Sequence, residues 1–414
     1  MTLEARFAGG FKGIFEPVRF EPVSRAQVLG LAVSGGGDSM AMLHLALGLG
    51  VPLRVVTVDH GLRAGSADEA LQVGRVCAGL GLAHDILRWR WDGRGNLQDA
   101  ARRGRRALIA AWALRVGVSV VALAHTRDDV AETFLMRLAR GAGVDGLAAM
   151  AGVWTEGGVA WARPLLDASR MELREYLLGM GVTWVEDPSN DNDRFDRVRV
   201  RKALAGLQDV GLTVDRLAEV AGHLAEARLA LERAALGVFD RVVATVGPAL
   251  RLDVAGLAGE AAEVQRRVVG LMIARLAQAE YAPRGAAVQG FLARVLQGQD
   301  ATLAGVRFQV THSGAWAYRE ARAVAGAVSD QVWDGRWRIL GAVPPGAQIR
   351  ALGPGIALCK DWRATGLPRA ALLASPSLWL GDRLLAAPHA GFGQGYSAIS
   401  LFPAAGVHHS VISH

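Results

Sequence analysis

The chain is organised around the stretch Val33-Ser34-Gly35-Gly36-Gly37-Asp38-Ser39, a glycine-rich turn. The apolar residues 28–33 predict a short buried strand before the turn, and residues 40–46 predict the first turns of a helix after it. Such a turn directs backbone N–H groups at one point, beside the positive end of the helix dipole. We therefore predict an anion site built from main chain, and favour phosphate binding over an ordinary turn that caps the helix.

The same stretch lacks the features of the common nucleotide-binding loop. No Gly-Lys-Ser/Thr follows it, and no lysine lies nearby in sequence to reach a terminal phosphate. Ser34 and Ser39 offer hydroxyl donors. The carboxylate of Asp38 is compatible with a phosphate only if a cation or a positively charged group lies between them, so Asp38 is a candidate metal ligand.

Composition limits the class of protein. With 414 residues, 51% hydrophobic and 21% charged, the chain is long enough for two or three globular domains. Cys77 and Cys359 are far apart, which argues against a disulfide framework, a zinc ribbon or an iron–sulfur site and favours a cytoplasmic location. No signal pattern and no apolar stretch of about 18 residues is present, so we expect no membrane association. The net charge of +7, supplied mostly by arginine, favours a polyanionic partner.

Strand-like and helix-like segments alternate through the first part of the chain. The predicted elements are strands at 53–59, 84–89 and 118–124 and helices at 67–79 and 97–116. This alternation predicts a parallel α/β sheet, in which ligands bind at the carboxyl ends of the strands. Ser34–Ser39, Asp59 and His125 would then lie at one edge of the sheet.

Beyond this region the pattern changes twice. From about residue 206 to residue 300 no strand is predicted, and the spacing at 217–236 and 261–276 indicates helices. From residue 334 onward, turn signals separate short strands. We therefore predict three domains: an α/β domain over 1–205, a mostly helical domain over 206–330 and a small α+β domain over 331–414.

A second informative cluster is His125-Thr126-Arg127-Asp128-Asp129-Val130-Ala131-Glu132, which follows a predicted strand and opens a helix. Asp128 and Glu132 are four residues apart and Asp129 and Glu132 three, so their carboxylates share one helix face. Offsetting the helix dipole would account for one or two acids, but not for three acids and a histidine. The cluster is suited to hold Mg²⁺, to bind an ammonium group or to accept protons from an amine, and these alternatives stay open.

Arginines are concentrated in two further segments. Four of them lie within five positions of one predicted helix, namely Arg102, Arg103, Arg105 and Arg106. One or two of these can face a nucleotide or an RNA phosphate while the others are solvated. Arg197, Arg199 and Arg201 alternate with valines, as in a half-exposed strand or one flank of a helix. This second patch is suited to bind an RNA backbone, and a charged hinge surface is the alternative.

Five motifs together resemble those of one known family. They are Ser34-Gly35-Gly36-Gly37-Asp38-Ser39, Val58-Asp59-His60-Gly61-Leu62-Arg63, His125-x-x-Asp128-Asp129-x-x-Glu132-Thr133, Arg163-Pro164-Leu165-Leu166 and Asp187-x-Ser189-Asn190. In this order they are similar to the motifs of the tRNA(Ile)-lysidine synthetases, N-type ATP pyrophosphatases that carry a PP-loop. The resemblance is strongest over about the first half of the chain and continues more weakly to Cys359-Lys360-Asp361.

The resemblance implies a parallel-sheet PP-loop ATP pyrophosphatase domain, of the adenine nucleotide alpha hydrolase type, followed by two tRNA-binding domains. It implies that lysine is attached to C2 of the wobble cytidine in a tRNA(Ile) with a CAU anticodon. The reaction would pass through an adenylated cytidine and release AMP and pyrophosphate. The implied ligands are ATP, Mg²⁺, L-lysine and this tRNA.

The same resemblance assigns residues to these ligands. ATP is assigned to Ser34, Gly35, Gly36, Gly37, Asp38, Ser39 and Asp59, and Mg²⁺ to Asp38. Lysine is assigned to Asp129 and Glu132. Catalysis is assigned to Asp38, His125, Asp129 and Glu132, with His125 or a carboxylate accepting a proton from the attacking amine. tRNA contacts are expected at Arg102, Arg105, Arg197 and Arg201.

Two alternatives stay open: another PP-loop tRNA-modifying ATP pyrophosphatase, and a non-catalytic RNA-binding protein on the same fold. tRNA thiolases are disfavoured because they generally use paired cysteines, and amidotransferases because a glutaminase half with a nucleophilic cysteine is lacking. The intact phosphate loop and the acidic cluster count against a non-catalytic protein. The sequence does not determine the oligomeric state, and a homodimer is one alternative.

Overall fold

The structure, a computed structural model, describes residues 1–11, 28–61, 65–91, 93, 97–186, 196–277, 285–393 and 395–401. It divides into two compact units, of which the first is Met1–Arg228 and the second begins at Leu229. Two of the quoted motifs fall partly or wholly outside the described residues, at Leu62-Arg63 and Asp187-x-Ser189-Asn190. Within the described ranges, none of the helices has the length and apolar character needed to cross a membrane.

The first unit is built on a six-stranded sheet. Its strands are β1 (Leu29–Ala32), β2 (Leu53–Asp59), β3 (Ala83–Arg88), β4 (Val120–Leu123), β5 (Val153–Glu156) and β6 (Val159–Ala162). Their order is β3-β2-β1-β4-β6-β5, and every neighbouring pair is parallel except the β5–β6 hairpin. The predicted parallel α/β sheet is therefore confirmed.

Nine helices accompany this sheet within the described residues. They are α1 (Leu3–Gly9), α2 (Gly37–Leu47), α3 (Ser66–Gly79), α4 (Leu97–Val116), α5 (Arg127–Leu138), α6 (Val144–Leu147), α7 (Arg170–Gly179), α8 (Asp196–Leu207) and α9 (Val214–Val242), the last of which extends past Arg228. The run of alternating Arg and Val residues lies in α8, so the helical alternative is the correct one. The helix α2 is buried along most of its length, because its sequence is apolar on every face.

The central strands determine where the candidate site lies. The strand β1 pairs in parallel with β2 on one side and β4 on the other. The glycine-rich loop after β1, Asp59 at the end of β2 and His125 just after β4 therefore emerge at the same edge, as the sequence predicts.

The second unit contains three smaller sheets with a few helices. Its helices are α10 (Val254–Ala258), α11 (Ala262–Ala277), α12 (Gly285–Leu296), α13 (Ala321–Val324) and α14 (Arg369–Leu373). Its strands are β7 (Val243–Val246), β8 (Ala249–Leu252), β9 (Ala301–Leu303), β10 (Val306–Thr311), β11 (Gly314–Arg319), β12 (Val328–Ser329), β13 (Trp337–Leu340), β14 (Gln348–Ala351), β15 (Pro376–Leu380), β16 (Arg383–Ala386) and β17 (Ser397–Ser400). The sheet orders are β7-β8-β11-β10-β9, β12-β14-β15-β16 and β13-β17.

The expectation that no strand occurs between residues 206 and 300 was wrong. The four-residue strands β7 and β8 form a hairpin there, and β8 pairs with β11, more than 60 residues later. Such short strands gain their stability from this distant partner, so the local pattern does not reveal them. The boundaries 206–330 and 331–414 stay a prediction.

Candidate active site

The candidate phosphate loop comprises residues 33–36 and the first turn of α2. Gly35 has a φ of +92°, a left-handed conformation that favours glycine. Gly36 is the N-cap of α2 and, among the described residues, no side chain caps this helix. The Ser39 hydroxyl accepts from the Ser34 N–H at 3.1 Å and donates to the Gly36 carbonyl at 2.9 Å. The serines thus hold the loop in shape, and the amides at the start of α2 are the candidate anion donors.

The segment 182–186 supports this loop from one side. The N–H of Val185 donates to the Gly35 carbonyl at 3.0 Å. The indole of Trp184 lies so close to Gly37 that an added Cβ would be 3.4 Å from the ring. The indole N–H donates to Glu186 at 2.8 Å, which orients the ring. Sequence reasoning did not single out Trp184, since its contact with the loop spans more than 140 residues of chain.

The acidic helix α5 begins with a capping box. The Thr126 hydroxyl accepts from the N–H of Asp129 at 3.3 Å, and Asp129 Oδ2 accepts from the N–H of Thr126 at 2.9 Å. Asp129 therefore stabilises the start of the helix, as expected for an acid that offsets the helix dipole. Its other oxygen, Oδ1, is free of the cap and faces a guanidinium from α7.

The centre of the site is Arg170, the first residue of α7. Its Nη1 lies 2.5 Å from Glu132 Oε1, its Nη2 lies 2.8 Å from Asp129 Oδ1, and its Nε lies 3.4 Å from Asp38 Oδ2. One guanidinium thus joins the phosphate loop to two acids of α5. Glu132 is only 1% exposed, so this ion pair is largely removed from water.

Further charged groups complete the cluster. Asp128 accepts from the backbone N–H of Arg170 at 2.9 Å, which stabilises the start of α7. Arg201 Nε lies 2.9 Å from Glu132 Oε1, and Arg197 Nη1 lies 3.9 Å from Asp129 Oδ1. The structure therefore brings together Asp38, Asp129 and Glu132. Arg197 and Arg201, which the sequence analysis expects to bind RNA, instead contact Asp129 and Glu132.

The protonation equilibria of the cluster follow from burial and these pairs. Burial raises the pKa of Asp38 to about 6, with the negative charges of Asp129 and Asp128 adding to the effect and Arg170 opposing it. Burial also acts to raise the pKa of Asp129, but the charges of Arg170 and Arg197 and the hydrogen bond from the Thr126 N–H outweigh it and hold that pKa below its usual value. For Arg170, burial is outweighed by the carboxylates, and its pKa rises above the ordinary range.

Asp38 should make stability depend on pH. The pKa of Asp38 is about 6 in the folded state and about 3.8 in the unfolded state, so ionised Asp38 lowers the free energy of unfolding above pH 6. Below about pH 4 the carboxyl is protonated in both states, and this destabilisation disappears. We expect Asp38→Asn to raise the free energy of unfolding by roughly 1–3 kcal/mol at about pH 8, with the difference vanishing near pH 4. Urea denaturation of both proteins at the two pH values measures this. An Asp38→Asn protein less stable than wild type at pH 8 would contradict it.

His125 lies beside the cluster, at the carboxyl end of β4. Its Nδ1 accepts a hydrogen bond from Arg163 Nε at 3.3 Å. Burial, the charge of Arg163 and those of more distant arginines lower the pKa of His125 to about 3, against the opposing charge of Asp129. His125 is therefore neutral at physiological pH.

Asp59 and the arginines of α4 lie outside this ion-pair network. Asp59 accepts from the Ser66 hydroxyl at 2.6 Å and from the Gly61 N–H at 3.0 Å, and these bonds lower its pKa. Arg102 and Arg105 are exposed, and each lies close enough to Arg197 for their charges to interact. Crowded like charges of this kind favour a polyanion as a ligand.

A cavity of about 420 Å³ opens beside Arg170. Its lining combines carboxylates, guanidinium groups and two apolar side chains, contributed by Asp128, Arg170, Met171, Arg174, Glu175, Leu178 and Arg201. A lining of both charge signs with an apolar strip suits a small zwitterion that carries an aliphatic chain.

Arg163 lies within one of the quoted motifs but received no function from the sequence, and sequence reasoning did not single out Arg170. One local signal was present for Arg170, since a basic residue in the first turn of a helix opposes the helix dipole. Acidic partners offset this unfavourable interaction, and here they come from α2 and α5. Among the described residues, no group of three or more His, Cys, Asp or Glu residues forms a metal centre.

Known proteins resemble the chain in sequence. A family model described as a PP-loop domain matches residues 4–207. The tRNA(Ile)-lysidine synthase of Ruegeria pomeroyi is 46% identical over 378 residues, which cover 89% of this chain and 90% of that protein. The tRNA(Ile)-lysidine synthase of Brucella anthropi is 35% identical over 404 residues, covering 90% and 87%. The solved structure of the U34-tRNA thiolase NcsA of Methanococcus maripaludis matches 54% of this chain and 78% of that chain, with a TM-score of 0.45 and 16% identity.

Proposed function

Because the chain belongs to the tRNA(Ile)-lysidine synthase family, we propose that it attaches lysine to C2 of the wobble cytidine in a tRNA(Ile) with a CAU anticodon. ATP supplies the energy, and AMP and pyrophosphate are released. The observation that carries this proposal is the Arg170 network, which joins the phosphate loop to the acidic helix α5. This network supports the proposal because it links the loop that we assign to ATP to the acids that we assign to the amine.

In the first step, the C2 carbonyl oxygen of cytidine attacks the α-phosphorus of ATP, and the bond to pyrophosphate breaks. The leaving pyrophosphate is assigned to the loop Ser34–Ser39, where the amides of Gly36, Gly37 and Asp38 at the start of α2 stabilise its charge. Asp59, at the end of β2, is assigned to the adenosine. The product is a cytidine adenylated on O2. The oxygen on C2 can now leave as part of AMP, which is a better leaving group than the unmodified oxygen.

Mg²⁺ is the metal that we assign to this step. Asp38 supplies one hard carboxylate oxygen beside the phosphate loop, and Mg²⁺ commonly binds through one or two carboxylates together with substrate phosphates. The residues therefore fit an ion held mainly by ATP, with Asp38 as its protein ligand. When bound, the ion neutralises charge on the leaving pyrophosphate.

In the second step, the ε-amine nitrogen of lysine attacks C2, and the C2–O bond to AMP breaks. We assign the lysine to Asp129 and Glu132, reached through the cavity beside Arg170. The cluster holds four carboxylates, those of Asp38, Asp128, Asp129 and Glu132, against the three guanidinium groups of Arg170, Arg197 and Arg201. One negative charge therefore remains to attract an ammonium group. A carboxylate of the cluster accepts the proton that the amine releases.

The exposed arginines of α4 are assigned to the tRNA backbone, together with Arg197 and Arg201. We expect Arg102→Gln and Arg105→Gln combined to weaken tRNA binding and to reduce the slope of log K against log salt concentration by about 2, one unit per lost phosphate contact. Filter binding between low and moderate salt measures the slope. Arg115→Gln is the matched control, because it lies on the same helix, about 15 Å from Arg105 and about 20 Å from Arg102. An unchanged slope in the double variant would exclude phosphate contacts at these positions.

One assay tests the proposed function. The protein is incubated with ATP, Mg²⁺, radiolabelled lysine and a tRNA(Ile) with a CAU anticodon, and label in tRNA is measured together with AMP. We expect equal amounts of both. AMP formation without label, under conditions where the tRNA binds, would contradict the proposal.

We further assign the protein to the cytoplasm, where tRNA is modified, and a homodimer stays a prediction.

A further inference from the structure

Arg163, the residue that follows β6, is held by contacts in three directions. Its Nε donates to His125 Nδ1 at 3.3 Å, and its Nη1 donates to the Ala151 carbonyl at 2.7 Å. Its guanidinium carbon lies 4.0 Å from the centre of the Trp154 ring, a cation–π contact. The guanidinium therefore cannot turn away from His125 without losing all three contacts.

The β5–β6 hairpin keeps this guanidinium in place. The Trp154 indole N–H donates to Glu156 at 3.1 Å, and Arg106 Nη1 lies 3.0 Å from the same carboxylate. The Trp154 ring also stacks on Trp161, with ring centres 5.8 Å apart and planes inclined by 13°. Trp161 is fully buried, so the surface under Arg163 is rigid.

Hydrogen-bond chemistry then fixes the tautomer of His125. An arginine side chain has donors only and stays protonated, so the atom that it contacts must offer a lone pair. Nδ1 of His125 therefore carries no proton, and a neutral imidazole must carry its single proton on Nε2. A proton could be accepted only at Nδ1, which Arg163 already covers.

We propose that Arg163 is a positioning residue that holds His125 as the Nε2–H tautomer, so that His125 donates a hydrogen bond during lysine transfer instead of accepting the amine proton. The acceptor is the oxygen that leaves C2 with AMP, because negative charge develops on it as the C2–O bond breaks. The ionisable groups that face His125 are Arg163, Asp129, Arg105 and Arg197, and their balance with burial keeps the ring neutral. The catalytic part of this inference rests on the proposed function, whereas the tautomer does not.

The tautomer is tested by NMR of protein labelled with ¹⁵N-histidine, in which His125→Gln identifies the His125 signals by their loss. We expect an unprotonated Nδ1 and a protonated Nε2 between about pH 5 and pH 8. In Arg163→Met we expect a mixture of tautomers and titration closer to the ordinary histidine range. Arg115→Lys is the matched control, since it changes a guanidinium in the last turn of α4 and leaves Arg163 and the contacts that hold it intact. A proton on Nδ1 in wild type, or an unchanged His125 in folded Arg163→Met, would overturn the proposal.

The donor function is tested by comparing His125→Gln with His125→Leu. Glutamine offers an amide N–H donor but is no base, whereas leucine offers neither. We expect His125→Gln to keep lysine transfer within about tenfold of wild type, and His125→Leu to lose about 100-fold or more, the usual effect of removing one such donor. Equal, large losses in both variants, with tRNA binding retained, would identify His125 as the base and overturn the donor function. If wild type attaches no lysine at all, the proposed function fails, and the NMR result decides the tautomer by itself.

Discussion

Replacing Arg170 by methionine should destabilise the first unit by about 3–5 kcal/mol, the usual result of removing one partner from a buried ion pair. The side chain of methionine preserves much of the apolar stem but leaves Asp38, Asp129 and Glu132 without their shared cation. Glu132 is 1% exposed, and within the part of the chain that the structure describes its remaining cationic partner is Arg201 at 2.9 Å. Urea denaturation followed by circular dichroism measures the change, and lysine attachment should fall below detection.

The matched control is Arg174→Met, one turn later on α7. Arg174 pairs with Glu186 at 3.1 Å, but both side chains are at least half exposed. Exposed pairs of this kind contribute about 0–1 kcal/mol, so we expect little change in the stability of Arg174→Met. Equal destabilisation by the two substitutions would show that Arg170 acts as a surface residue and not as the centre of the site.

Asp38→Asn should abolish the first chemical step without affecting tRNA binding. The amide keeps the size of the side chain but removes the charge that we assign to Mg²⁺ beside the phosphate loop. We expect AMP and pyrophosphate release to fall by at least about 1,000-fold, while the Kd for tRNA stays within about twofold. Release of ³²P-pyrophosphate and filter binding of labelled tRNA measure the two quantities.

The stability of the Asp38→Asn protein distinguishes a loss of catalysis from a loss of the folded structure. Since the ionised Asp38 destabilises the fold, the inactive Asp38→Asn protein should be at least as stable as wild type above pH 6. Glu226→Gln, which changes an exposed acid of α9, serves as a control for the loss of one negative charge and should leave both steps intact. A collapse of tRNA affinity in Asp38→Asn would mean that Asp38 is structural.

The elements of the site that sequence predicts are those with local signals. The loop Ser34–Ser39 is a turn between a strand and a helix, and His125–Glu132 is a strand end followed by a capped helix, so a few adjacent residues specify each. Parallel pairing of β1 with β2 and β4 then brings both to one edge. The predicted roles of these residues in binding and catalysis stay predictions.

The connections between these elements could not be predicted in the same way. Arg170 contacts acids that are 38, 41 and 132 residues away in sequence, and such distances leave no local pattern. The structure also changes the interpretation of Arg197 and Arg201, which lie next to Asp129 and Glu132 and so can act within the site as well as on RNA. For His125, the tautomer depends on Arg163, another distant residue.

We propose that this protein joins lysine to one cytidine at the expense of ATP. The most direct measurement is the mass of the nucleoside at the wobble position of a tRNA(Ile) with a CAU anticodon, after incubation with the protein, ATP, Mg²⁺ and lysine. We expect a cytidine heavier by one lysine less one water, formed in the same amount as AMP and absent when ATP or lysine is omitted. An unmodified cytidine, or a sulfur-containing nucleoside in its place, would rule out lysine transfer by this protein.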